Sequence, residues 1–246
     1  MRLGWLSQGE AEVPHALDWL APSERERLAR MRFRKRRDDY LLGRWTAKRA
    51  LARSVALPET TASLAGLEIR HAEGGAPLAF AAAERLPLEI SISDRAGQGA
   101  CAIAPAGLLV GCDLEVVEPR SDAFVADYLT PRESSRVLAA REERERALLA
   151  NLFWSAKESA LKLLGTGLRR DTRSVEIELG PAAGAGWQRL VARPVEGGCL
   201  PGWWRAFGAF VLTLAAAAET DEPACLLEPP SLAGAEPTES WQAAPR

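Results

Sequence analysis

Five side chains of this sequence have the types and spacing to do chemistry. Asp113 and Glu115 stand two apart at the end of the short run Val110-Gly111-Cys112-Asp113-Leu114-Glu115. About forty residues on comes Phe153-Trp154-Ser155-Ala156-Lys157-Glu158-Ser159-Ala160-Leu161-Lys162. Residues two apart on a strand point to one face, so Asp113 and Glu115 repel unless a cation or a lysine neutralises them. Three carboxylates and two lysines from separate elements suit a hard divalent cation that holds a diphosphate.

The elements that must position these groups follow from periodicity and punctuation. Leu149, Leu152, Phe153, Ala156, Ala160 and Leu163 form an apolar stripe on a helix expected from about Glu143 to Leu164, stopped by Gly165. At 100° per residue Glu158 lies roughly 200° around from Ala156, grouped with Trp154 and Lys162. Taken alone, a D-x-E is a solvated strand end, Glu158 and Lys162 a surface i,i+4 pair worth about 0.3–0.5 kcal/mol, and Lys157 a solubilising lysine. Ser23 to Glu26 and Thr130 to Glu133 fit capping boxes, and a helix is expected from about Asp38 to Ala56 before Pro58. Short β-rich pieces run at 66–70, 88–93, 100–104 and 108–112, then at 174–179, 188–193 and 204–214. Helices then strands, twice over, indicate an α+β protein. The halves are expected at 1–117 and 118–246, with a loosely ordered Pro-, Ala- and Glu-rich tail from about 220.

Composition narrows the class. From Ala21 to Arg53 there are 12 Lys/Arg against 4 Asp/Glu, so the remainder carries about −10 of the overall −2. Cys101, Cys112, Cys199 and Cys225 form no C-x-x-C and are expected to be reduced. Two histidines, His15 and His71, argue against a histidine-rich metal centre. No apolar run reaches the ~20 residues of a membrane span and the N-terminus lacks a signal-peptide core, so a cytoplasmic protein without membrane association is expected. The basic stretch lacks interleaved aromatics, which turns the reading away from nucleic acid. Arg44 and Lys48, i,i+4 on the helix, and the arginines around Arg27 read as a phosphate-binding patch or as a solvated face.

The W-S-x-K-E-S-x-x-K string, its distance from Asp113, and the Leu164-Gly165-Thr166-Gly167-Leu168 continuation resemble the 4'-phosphopantetheinyl transferases, of the longer, surfactin-synthetase-activating (Sfp) type. The resemblance runs from about Ser23 to Leu179. It implies two similar halves in a pseudo-twofold arrangement with coenzyme A in the cleft between them. It also implies Mg2+ (or Mn2+) on Asp113, Glu115 and Glu158, with Glu158, Lys162 and Lys157 catalytic. Coenzyme A would be held by Arg27, Arg44, Lys48, Gly75, Pro77, Ser93, Asp113, Lys157 and Lys162. The acceptor would be a serine of an acyl or peptidyl carrier protein from fatty acid, polyketide or nonribosomal peptide synthesis, and the enzyme a monomer. Phe124, Tyr128 and Leu129 are read either as partner contacts or as core.

Two positions depart from the family pattern. In Ser93-Asp94-Arg95, Asp94 stands where relatives have histidine, and Ala76 stands where many have lysine in Gly-Lys-Pro. A carboxylate beside phosphate is unfavourable unless it turns away, pairs with Arg95 or ligates a cation. Those changes give the alternative of a non-catalytic module that binds coenzyme A or a carrier. A third reading is another Mg2+-dependent enzyme that cleaves a nucleotide pyrophosphate without a protein acceptor.

Overall fold

The computed structural model describes residues 1–181, 184 and 186–240. In chain order it comprises β1 (Arg2–Gly9), α1 (Pro22–Ala29), α2 (Arg34–Ser54), α3 (Thr61–Gly66), β2 (Leu67–His71), β3 (Pro77–Ala81) and β4 (Glu84–Arg85). These are followed by β5 (Leu88–Arg95), β6 (Gln98–Pro105), β7 (Val110–Val116), α4 (Asp122–Tyr128), α5 (Pro131–Ala139) and α6 (Glu143–Leu163). The chain ends with β8 (Val175–Leu179), β9 (Gln188–Pro194), β10 (Leu200–Phe207), β11 (Phe210–Ala216) and β12 (Asp221–Cys225). The α+β class read from the sequence holds. No helix among the described residues is long and apolar enough to cross a membrane.

One sheet runs β12-β1-β6-β5 and another β7-β11-β10-β9-β8, with a small sheet β2-β3-β4 beside them. The period-2 alternation of strands decides the layering. Leu3 and Trp5 of β1 and Ala100, Ala102 and Ala104 of β6 join Val110, Cys112 and Leu114 of β7 in one core between the sheets. Leu6, Cys101 and Ile103 face the other way, toward Ala47, Ala50 and Leu51 of α2. On the far side Val211 of β11 meets Phe153, Ala156 and Ala160 of α6. The layers are therefore helix, sheet, sheet, helix. The alanines of β6 leave room for Trp5, whose ring lies 5.4 Å from Phe207 and 5.5 Å from Trp187.

The same fastening occurs twice. Glu24 of α1 accepts from the amides of Ala21 at 3.0 Å and Ile69 at 3.1 Å, and pairs with Lys48 of α2 at 2.5 Å. Glu133 of α5 accepts from Thr130 and Ile177, each at 2.7 Å, and pairs with Lys157 of α6 at 2.9 Å. Each lysine also donates to two buried carbonyls, Lys48 to Trp19 and Leu64, Lys157 to Thr172 and Val175. One carboxylate thus caps a short helix, holds the first strand after the long helix, and anchors the long helix itself.

Three expectations are corrected. The first capping box uses Glu24 with Ala21 as N-cap, not Ser23 with Glu26, because Pro22 starts the helix two residues earlier. The span 204–214 is the hairpin β10–β11, turned at Gly208 with φ +58°. The region after 220 is packed through residue 240, for the expected loose tail overlooked a partner at the other end of the chain. β12 lies parallel to β1, Leu232 is fully buried, and Glu239 reaches Lys35 at 2.7 Å. Residues 241–246, the rest of that tail, lie outside the described residues. The halves also share strands: β7, from residues 1–117, sits in the second sheet, and β12, from 118–246, edges the first.

Candidate active site

Strand β7 brings Asp113 and Glu115 to the seam between the two large sheets. At that seam the serines of β5 substitute for a strand ladder. The amide of Cys112 donates to Ser91 Oγ at 2.9 Å and that of Leu114 to Ser93 Oγ at 3.3 Å. Helix α6 crosses β7 at Gly111, where an added Cβ would stand 1.9 Å from the Ser159 carbonyl oxygen. Ser159 Oγ in turn donates to the Thr213 carbonyl at 3.0 Å, and Ser155 Oγ to the Asp113 carbonyl at 3.1 Å. This close approach sets Glu158 and Lys162 of α6 over Asp113.

The resulting cavity, about 600 Å³, is lined by Ser93, Asp94, Asp113, Glu115, Glu158 and Lys162, with Lys35, Arg95 and Glu239 at its rim. Lys162 Nζ donates to Asp113 Oδ1 at 2.6 Å, to the Cys112 carbonyl at 3.0 Å and to Ser93 Oγ at 3.2 Å. Ser93 Oγ itself donates to Asp113 Oδ1 at 2.9 Å. Burial works against the Lys162 ammonium, yet Asp113, Cys112 and Glu158 outweigh it and hold the pKa above the ordinary lysine value. Burial first and Asp113 second push the Glu158 carboxyl up to about 8, with Lys162 at 4.0 Å opposing.

Does this donor set fit a divalent cation? Asp113 Oδ2 is buried and accepts no hydrogen bond, a costly state for a carboxylate oxygen that a cation would relieve. Asp113 and Glu158, two carboxyl groups crowded at one cavity, therefore fit. Glu115 is differently placed. Trp154 Nε1 donates to its Oε1 at 2.8 Å and Arg120 to its Oε2 at 3.1 Å, with Arg95 at 3.5 Å. Among the described residues no three His, Cys, Asp or Glu side chains converge as a metal cluster. All three expected carboxylates thus line the cavity, but Glu115 is also tied to Arg120 and Trp154.

A second cavity, about 830 Å³, opens from the first and shares Ile92, Asp94 and Lys162 with it. Its wall carries Arg27, Arg44, Gly75 and Pro77, all expected at a nucleotide. It also carries Arg36 of the basic stretch and three residues that sequence reasoning passed over: Tyr40, His71 and Arg169. Arg44 stacks 4.6 Å from the Tyr40 ring centroid, a pairing the i,i+4 spacing of 40 and 44 would have signalled. Ser93, expected at a phosphate, is 8% exposed and lies within the Asp113–Lys162 network. Asp94 is exposed where the two cavities join. Arg95, one of the alternatives for neutralising it, faces Glu115, Glu118 and Glu239.

Lys48 and Lys157 are corrected. Both side chains are 0% exposed, and their ammonium groups are spent on Glu24, Glu133 and four carbonyls, which leaves no donor for a phosphate. Leu129 is core at 2% exposure, whereas Tyr128 is 40% exposed and stacks with Phe124 on Trp154 at ring distances of 5.0 and 5.3 Å.

Residues 109–191, which run from β7 through α6 and β8 into β9, match the family model "4'-phosphopantetheinyl transferase superfamily". Among solved structures, a holo-(acyl-carrier-protein) synthase from Bacillus anthracis str. Ames in complex with CoA (3',5'-ADP) is similar at 20% identity and a TM-score of 0.35. That likeness covers 42% of this chain and 92% of the synthase. The search of curated proteins returned no match. The matched segment contains Asp113, Glu115, Glu158 and Lys162.

Proposed function

We propose that this protein moves the 4'-phosphopantetheine arm of coenzyme A onto a serine of an apo acyl or peptidyl carrier protein, in the manner of the Sfp-type enzymes, and releases adenosine 3',5'-bisphosphate. The observation that carries the reading is the unpartnered, buried Asp113 Oδ2 facing the cavity that Glu158 and Lys162 also line. Asp113 and Glu158 would hold Mg2+, or Mn2+ in its place, with Glu115 the third carboxylate of the set once Arg120 is exchanged for the cation. When bound, that ion would offset charge developing on the diphosphate.

The chain's own residues divide the remaining work. Arg27, Arg44, Gly75 and Pro77 line the cavity for the nucleotide end, and Lys162 stands where the two cavities meet. A lysine held charged by Asp113 suits neutralising a phosphate oxygen rather than delivering a proton to it. Glu158, a carboxyl raised toward neutrality, suits taking the proton of the attacking serine hydroxyl, directly or through a water. Positioning and charge neutralisation carry most of such a transfer. An enzyme of this kind works on coenzyme A in the cytoplasm, as a monomer.

The test is the intact mass of a panel of apo carrier domains after incubation with the protein, coenzyme A and Mg2+. The reading requires the gain of one phosphopantetheine group on at least one carrier, abolished by EDTA. Coenzyme A bound without any gain would favour the binding module. Pyrophosphate cleavage in the absence of carrier would favour the acceptor-independent enzyme.

A further inference from the structure

The turn that replaces the lysine-bearing loop of relatives is not loosely attached. His71, the last residue of β2, stands between that turn and the arginine of α2. Arg44 Nη2 lies 2.9 Å from His71 Nε2, and His71 Nδ1 lies 3.0 Å from the Gly75 carbonyl oxygen. A guanidinium has no acceptor, so Nε2 must be the unprotonated nitrogen and Nδ1–H must donate to Gly75. Both contacts assign the same neutral tautomer. Burial, with Arg44 and Arg27 adding to it, lowers the His71 pKa and keeps the ring in that form.

Gly75 needs such a tether. Its φ is +90°, a conformation glycine alone adopts readily, at a cost in chain freedom. The turn closes with the Gly75 amide on the Ala72 carbonyl and the Ala72 amide on the Ala76 carbonyl, each at 2.8 Å. Arg44 is 5% exposed and 3.5 Å from Glu24, and its Nε has no hydrogen-bond partner. Its direction toward the cavity is set by Tyr40 and His71 together with the Glu24 carboxylate.

We propose that His71 is a positioning residue for the nucleotide end of coenzyme A: it joins the Arg44 guanidinium to the Gly74–Gly75 turn, so that the two walls of the cavity present themselves together. This rests on the function proposed above and deepens it. The tether stands in for what Ala76 lacks, a side-chain donor on the turn, by fixing a donor from the opposite wall.

Titration calorimetry of coenzyme A binding without carrier protein tests the proposal, with wild type, His71→Phe and His71→Gln compared and melting temperature followed in parallel. Phenylalanine keeps the ring and loses both bonds, whereas glutamine can donate to Gly75 and accept from Arg44. The expected result is a Kd raised about fivefold in His71→Phe, the net value of one ordinary hydrogen bond. His71→Gln should stay within about twofold of wild type. In turnover, the KM for coenzyme A should rise with kcat at saturation held. Equal Kd values in wild type and His71→Phe would overturn the proposal. So would equal losses in both variants accompanied by a lowered melting temperature, the mark of a fold defect. Wild type that fails to bind coenzyme A would instead bring down the proposed function, and the tether with it.

Discussion

Helix α6 carries two lysines five residues apart, each paired with a carboxylate, and the two pairs have opposite characters. Lys157–Glu133 is sealed at 0% and 1% exposure, and four further hydrogen bonds with backbone groups use it up, two from Lys157 and two to the Glu133 carboxylate. Lys162–Asp113 has a lysine side chain 29% exposed to a cavity and leaves Asp113 Oδ2 unpartnered. Lys48–Glu24 repeats the first arrangement in the other half of the molecule. A buried ion pair with every lone pair and proton engaged is a fastening. One that leaves a buried carboxylate oxygen unsatisfied beside a cavity is a place where a ligand would be stabilised. Residue type and spacing do not separate the two cases; satisfaction does.

The sharpest way to break this comparison is Lys157→Ala. It leaves the Glu133 charge buried beside Ile177 and Thr130, and the expected loss is about 3–5 kcal/mol, seen as a melting temperature lower by roughly ten degrees. A thermal shift of only a degree or two would mean the pair is no fastening. Next comes Gly111→Ala, whose methyl group must push α6 off β7 against the Ser159 carbonyl. It should cost about 1–3 kcal/mol and lower transfer by moving Glu158 and Lys162 away from Asp113, which melting and turnover together would show.

Smaller effects probe the open pair. Mg2+ at about tenfold over its Kd should stabilise the protein by about 1.4 kcal/mol, a rise of a few degrees in melting temperature. Asp113→Asn should remove that rise, and an equal rise in the variant would place the cation elsewhere. Least in size, Asp94→Asn should tighten coenzyme A binding by roughly two- to threefold, as expected for removing an exposed like charge near phosphate. Calorimetry reads it directly, and weaker binding would show that Asp94 helps hold the ligand.

Much of the architecture is legible in local sequence. The long helix α6, the Thr130–Glu133 capping box and the strands of β5 and β6 follow from periodicity and punctuation. The meeting of Asp113 with Glu158 and Lys162 does not: spacing alone leaves a solvated strand end and a surface pair, and the family motif supplied it. What escapes is non-local. β1 and β12 pair the two ends of the chain, and a tail poor in periodic apolar residues offers no local sign of a strand. Lys48 and Lys157 look like surface lysines or phosphate ligands until Glu24 and Glu133, 24 residues upstream in each case, are folded onto them. That equal separation was the available signal. His71 counts in the sequence only as one of two histidines, and its tether to Arg44 exists only once β2 is laid against α2.

The most direct test is the intact mass of an apo carrier protein after incubation with coenzyme A, Mg2+ and either wild type or Glu158→Ala. Folding of the variant is confirmed by its melting temperature. The account predicts one phosphopantetheine group added by wild type and none by Glu158→Ala, with melting temperatures within a few degrees of each other. Substantial transfer by a folded Glu158→Ala protein would contradict it, because the open carboxylate of α6 would then not be where the reaction takes place.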